Sequence, residues 1–97
     1  MVGGADDIDI DGLDWDDENR SHIARHDVDR EDVDFALANS PLFFRNLPGR
    51  SATHIMIGRD KKGRVLYVAL LRLERPDAVW RVISAWESRF ARRLYPG

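Results

Sequence analysis

The sequence predicts an α+β domain with two N-terminal helices, an antiparallel sheet of about four strands and a C-terminal helix. Three observations carry this. Apolar residues recur at helical spacing between Asp16 and Ala38 and again near the C-terminus. From Pro41 to Ala85 the pattern turns extended and rich in Val, Ile, Leu and Phe. The breaks within that extended region are short and turn-like, so its strands connect as hairpins rather than crossovers and the sheet is antiparallel.

Met1 to Ala5 is small and Gly-containing, an end expected to fray. Ile8 and Ile10 alternate with Asp9 and Asp11, and Gly12 shifts the phase before Leu13 and Trp15. This reads as an edge strand with a bulge, because Asp is a poor strand former. Asp16 is an N-cap with Asp17 and Glu18 in the first turn. That helix runs to about His26, with Trp15, Asn19, His22, Ile23 and His26 on one face. Asp29 is a second N-cap, with Asp32 completing an acidic capping box for a helix over Arg30 to Ala38. Asn39-Ser40-Pro41 stops it. Strands follow at Leu42 to Arg45, Thr53 to Arg59 and Val65 to Leu73, the last being the most apolar and so central. Asp60-Lys61-Lys62-Gly63 is a hairpin turn, and Glu74 to Ala78 is a second one. Val79 to Ala85 is a further strand, and Trp86 to Tyr95 a basic closing helix. Residues 1–12 form an acidic arm and residues 13–97 a single domain.

Composition bounds the function. The 97 residues are 43% hydrophobic and suffice for one modest core. The absence of cysteine favours a reducing cytosol. No apolar run approaches the ~18 residues of a membrane span, and the N-terminus lacks the regions of a signal peptide. The net charge of −2 conceals a polarised chain. Residues 1–34 carry 13 acidic and 3 basic side chains, and residues 35–97 carry 4 acidic and 12 basic. Either the basic half presents a phosphate-binding face, or the two halves neutralise each other within the monomer.

Several short pieces, in order, resemble the BrnT family of toxins. They are Trp15-Asp16, His26 before a turn and Val28, Ile57-Gly58-Arg59, Gly63-Arg64, Arg81-Val82-Ile83-Ser84-Ala85 and Arg92-Arg93-Leu94-Tyr95. The resemblance implies a RelE-like fold and metal-independent cleavage of RNA without a cofactor. It also implies a type II toxin–antitoxin system in which a cognate ribbon-helix-helix antitoxin masks the toxin, with room for a homodimer in that complex. Three positions depart from the family pattern. Asp27 stands where glycine is usual, Trp86 where a basic residue is usual, and the last helix is about one residue shorter, with Glu87 near its start.

Cleaving RNA without a metal requires a base for the 2′-hydroxyl, positive donors for the phosphate and an acid for the leaving oxygen. Arg64 and Arg81, each opening a strand, are the candidate phosphate clamps, with solvent-facing hairpin charges as the plainer reading. Glu87 is the candidate base, and His54 the alternative acid or base. Arg59, Lys61 and Lys62 at a hairpin tip supply general phosphate attraction. Arg89, Arg92 and Arg93 line the last helix for RNA, and Trp86 is placed to stack on a base or sit in a protein interface. Trp80 reads as core, and Tyr95 as a pin holding the last helix down. His22 and His26, at i and i+4, have zinc-compatible spacing but lack further ligands, so they read rather as packed over the sheet. Two other readings stay open, a binding module on the same fold without catalysis, and a metal-binding domain. A further expectation is that the acidic run from Ala5 to Asp17 competes with RNA for the basic surface.

Overall fold

A computed structural model describes residues 8–95. The expected fraying of Met1 to Ala5 therefore lies outside the described residues. Eight elements follow one another: β1 (Gly12–Asp14), α1 (Asp17–Ala24), α2 (Arg30–Ala38), β2 (Leu42–Arg45), β3 (His54–Arg59), β4 (Val65–Arg72), β5 (Val79–Glu87) and α3 (Arg89–Leu94). They form an α+β fold around a single five-stranded sheet of order β1-β5-β4-β3-β2.

The strands from β2 to β5 form the expected antiparallel meander. The sheet as a whole is mixed and has five strands rather than about four. Gly12, Leu13 and Asp14 of β1 pair in parallel with Val79, Trp80 and Arg81 of β5. The chain leaves β1, crosses one face as α1 and α2, and enters the meander at the far edge. Its last strand then returns alongside the first, running in the same direction. The upstream alternation at Ile8 and Ile10 is not strand, although both residues pack against the core. The bulge lies elsewhere, in β5, where Ala69 pairs with Ser84 and Leu70 with Val82, leaving Ile83 as the extra residue.

Both long-range helices begin as their sequences require. Asp16 and Asp29 each accept from the backbone N–H three residues on, at 2.9 Å, and Asn19 and Asp32 return the bond. α1 stops at Ala24 rather than His26, and the chain turns through Asp27 at φ 59°. At the C-terminus the correction is larger. Trp86 and Glu87 belong to β5, paired with Tyr67 and Leu66, and not to the last helix. Ser88 caps α3 instead, its hydroxyl accepting from Ala91 N at 3.0 Å.

Strand alternation divides the core in two. Met56, Leu66, Val68, Leu70, Trp80, Val82 and Ala85 face Ile23, Val28, Val33 and Ala36 of the helical layer. On the other face Phe44, Ile55, Ile57 and Val65 pack under Ala91 of α3. α2 sits close because Gly58 has no side chain. A Cβ there would lie 3.1 Å from both Cβ and O of Ala36. Tyr95 pins the end of α3 as expected, its hydroxyl donating to the carbonyls of Asn39 and Ser40 at 3.0 and 3.2 Å. α3 is only six residues long, so it leaves the β5 end of this second face uncovered.

Candidate nucleic-acid interface

The two arginines expected to clamp phosphate are each bound to carboxylates. Arg64 Nε donates to Asp60 at 2.8 Å, Nη2 to Asp32 at 3.0 Å and Nη1 to the Asp27 carbonyl at 2.8 Å. Burial opposes its charge, but the Asp60 hydrogen bond and the fields of Asp60, Asp32 and Asp27 prevail and hold its pKa above the ordinary value. Arg81 donates to Asp14, Asp16 and Glu18 at 2.9 to 3.2 Å. Its pKa is raised well beyond the ordinary guanidinium range, first by the Asp16 hydrogen bond. The acidic and basic halves of the chain therefore do meet inside the monomer, at these two points. Arg81 faces Leu71, seven residues along β4 from Arg64, on the order of 20 Å of strand. The structure does not bring the two arginines into one site.

The other expected residues are also dispersed. His54 lies on the helical face, its ring edge-on to Trp80 at 5.0 Å and its Nδ1 3.0 Å from Thr53 Oγ1. Arg59 lies over the Tyr95 ring at 5.7 Å and donates to Gly63 O at 2.8 Å. Lys62 Nζ is 4.0 Å from Asp32, while Lys61 is exposed. Arg89, Arg92 and Arg93 are exposed on α3, and Arg45 and Arg50 on β2 and the loop after it. Among the described residues none of these last five forms an ion pair.

A different constellation forms at the edge of β5. β1 covers β5 only as far as Arg81. Asn19 closes the end of that pairing, its Nδ2 donating to Asp14 O at 2.8 Å and Val82 O at 3.2 Å. Beyond it, from Ile83 to Glu87, β5 is the margin of the sheet, flanked by α1. Trp86 and Tyr67 are cross-strand partners, stacked with ring centroids 4.5 Å apart and planes 21° apart. His26 lies 6.1 Å from Trp86, centroid to centroid, and His22 lies 6.0 Å from His26. The His22 Nε2 is 3.2 Å from Ser84 Oγ. Glu87, exposed, lines an open cleft with His26 and Trp86. A second shallow cleft runs over Tyr67, Ala69, Ser84 and Trp86 to Arg50 and Asn46. Burial raises the pKa of the Tyr67 hydroxyl, an effect that the positive charge of Arg50 opposes.

The histidines thus reach the sheet margin rather than packing over the sheet, and Trp15 is not with them. Its indole donates to Asp34 at 3.3 Å. The sequence signal for β5 past Ala85 was weak, because the bulge at Ile83 breaks the alternation that starts at Val79. Among the described residues no third ligand joins His22 and His26. Among the described residues no helix is long and apolar enough to cross a membrane. The chain matches no protein-family model, and no curated protein matches it with significant similarity.

Proposed function

We propose that the protein is a metal-independent endoribonuclease of the toxin kind that its sequence resembles, acting on single-stranded RNA at the β5 margin. The observation that carries the reading is the juxtaposition of two histidines with a stacked Tyr67–Trp86 pair on an open sheet edge. Aromatic side chains hold unpaired bases by stacking, and histidine is the side chain suited to moving protons near neutral pH. Arg50, Arg89, Arg92 and Arg93, without an ion pair among the described residues, supply phosphate attraction that Arg64 and Arg81, held by carboxylates, do not.

In this reading His26, exposed, takes the proton of the 2′-hydroxyl. The 2′-oxygen attacks the adjacent phosphorus, the bond to the 5′-oxygen breaks, and His22 protonates that leaving oxygen. Ser84 orients the His22 ring for this step. The products are a 2′,3′-cyclic phosphate and a 5′-hydroxyl. The RelE-like fold relationship, a cytoplasmic setting and inhibition by a ribbon-helix-helix antitoxin belong to the same proposal and rest on the sequence resemblance.

A second reading, an RNA-binding module without catalysis, is favoured by one observation, that both expected phosphate clamps are neutralised. One experiment separates the two. A labelled transcript is incubated with the protein in EDTA, alongside His26→Ala and His22→Ala. Cleavage leaving cyclic phosphate ends, lost in both variants while His22→Ala still binds the transcript, supports the nuclease. Binding without cleavage by the unaltered protein supports the module. Absence of binding overturns both.

A further inference from the structure

We infer that the cleft bounded by His26, Trp86 and Glu87 is a base pocket selective for guanine. The inference rests on the RNA reading above and names which base the site holds.

Trp86 has one face occupied by Tyr67, 4.5 Å away on the neighbouring strand. Its other face is directed away from β4. Among the described residues no further strand lies on that side, since β1 ends opposite Arg81. His26 stands next to Trp86, its centroid 6.1 Å from that of the indole and its ring tilted by 55°. A planar base stacked between two rings needs roughly 7 Å between them. The gap falls short by about one ångström, and His26 is an exposed residue in the turn that follows α1. A small rotation of that side chain opens a slot in which a base stacks on the indole. No rearrangement of the sheet is needed.

Glu87 decides which base fits. It lines the same cleft and, among the described residues, has neither an ion-pair partner nor a hydrogen-bond partner for its carboxylate. A carboxylate repels phosphate, so beside an RNA site it serves no purpose in backbone binding. Ionised, it offers two oxygens that only accept. Guanine is the base whose Watson–Crick edge offers two adjacent donors, N1–H and N2–H, matched to those two oxygens. Cytosine and adenine each present a single amino group there beside an acceptor nitrogen, and uracil a single imino N–H flanked by carbonyls. Each of these would set an acceptor against the carboxylate. A bidentate pair of this kind discriminates by about 1–3 kcal/mol, roughly tenfold to a hundredfold.

The test uses the full chain. Calorimetry measures binding of 5′-GMP, 5′-AMP, 5′-CMP and 5′-UMP. A parallel series uses oligoadenylate with and without one central guanine, under conditions that block turnover (2′-O-methyl at every nucleotide). Tighter binding of the guanine-containing oligomer by about tenfold or more, with that preference lost in Glu87→Gln and the all-adenine oligomer bound at least as tightly as before, supports the pocket. If GMP shows the same preference as the oligomer, the base alone suffices. If only the oligomer does, the site requires the strand. Equal affinity for both oligomers, or a guanine preference that survives Glu87→Gln, overturns the inference while leaving RNA binding standing. If no oligomer binds, the RNA reading itself falls. Glu87 is exposed at a strand end, so the variant is expected to fold, which circular dichroism checks.

Discussion

Arg64 Nη2 lies 3.0 Å from Asp32 Oδ2, joining the β3–β4 hairpin to the first turn of α2 across 32 residues of chain. The partners make this contact costly to lose. The Asp32 side chain is 3% exposed, and that of Asp60, which also binds Arg64, is 0% exposed. Asp60 in turn accepts from the backbone N–H groups of Lys62 and Arg64 at 3.0 and 2.9 Å, shaping the turn. Arg64→Ala leaves the buried Asp60 carboxylate without its cation and the buried Asp32 carboxylate with only Lys62, 4.0 Å away. The expected loss is about 3–5 kcal/mol, seen as a large fall in the urea midpoint. An unchanged midpoint with cleavage abolished would return Arg64 to the chemistry.

Acid should loosen the other network. Asp16 is held below the ordinary carboxylate range, first by the Arg81 hydrogen bond and then by the backbone N–H of Asn19, with burial opposing. Asp29 is held low in the same sense by the backbone N–H of Asp32. A depressed carboxylate contributes stability that is fully present above its unfolded value, about pH 4, and lost as pH falls through the folded value. Stability is therefore expected to decline below about pH 4. Asn at position 16 keeps the helix cap and removes the charge. Asp16→Asn should thus melt lower at pH 7 but lose less between pH 7 and pH 3 than the unaltered protein. Parallel acid limbs in thermal melts would remove Asp16 from this dependence.

What was legible in the sequence was local. Asp16 and Asp29 announced their helices because a cap acts over three residues, and the Gly63 turn announced its hairpin for the same reason. The pairing of Leu13 with Trp80 spans 67 residues, and no local pattern encodes it. Trp86 and Glu87 suit a strand end or a helix start equally by composition. Pairing with Tyr67 and Leu66 decides the matter. The charge polarity of the chain was plain, but which arginine each Asp would take was not. Arg64 and Arg81 look like free strand-end cations until Asp32 and Asp14 arrive from distant elements. The candidate site was hidden likewise, since it needs His26 and Trp86, 60 residues apart, to meet at the β5 margin.

Asp27 offers a test of local strain. It stands at φ 59°, a left-handed conformation that glycine adopts freely and other residues at a cost. Its contact with Arg64 through the side chain is long, 3.7 Å, and the carboxylate is 97% exposed, so that pair adds little. The contact that matters uses the Asp27 carbonyl, which glycine retains. Relief of strain and the greater freedom of glycine in the unfolded chain act in opposite directions. Strain relief is expected to prevail, so Asp27→Gly should raise stability by about 0.5–1 kcal/mol, a rise of a few degrees in Tm. A lower Tm would show that the aspartate side chain itself holds the turn.

The remaining arginines should act as sequence-blind charge. Arg92 and Arg93 are exposed on α3 and unpaired among the described residues, so they are free to release counterions from phosphate. Each contact with a single strand contributes about 0.7 to the slope of log affinity against log salt. Arg92→Ala with Arg93→Ala should therefore flatten that slope by roughly 1.4 and weaken all RNA sequences alike. Trp86→Ala should behave oppositely, lowering affinity with the salt slope unchanged, because stacking displaces no counterions. Measuring oligonucleotide affinity at several salt concentrations distinguishes the two. If both changes altered the slope equally, Trp86 would be acting through the fold rather than through a base. If neither did, the RNA strand would lie on another face of the molecule.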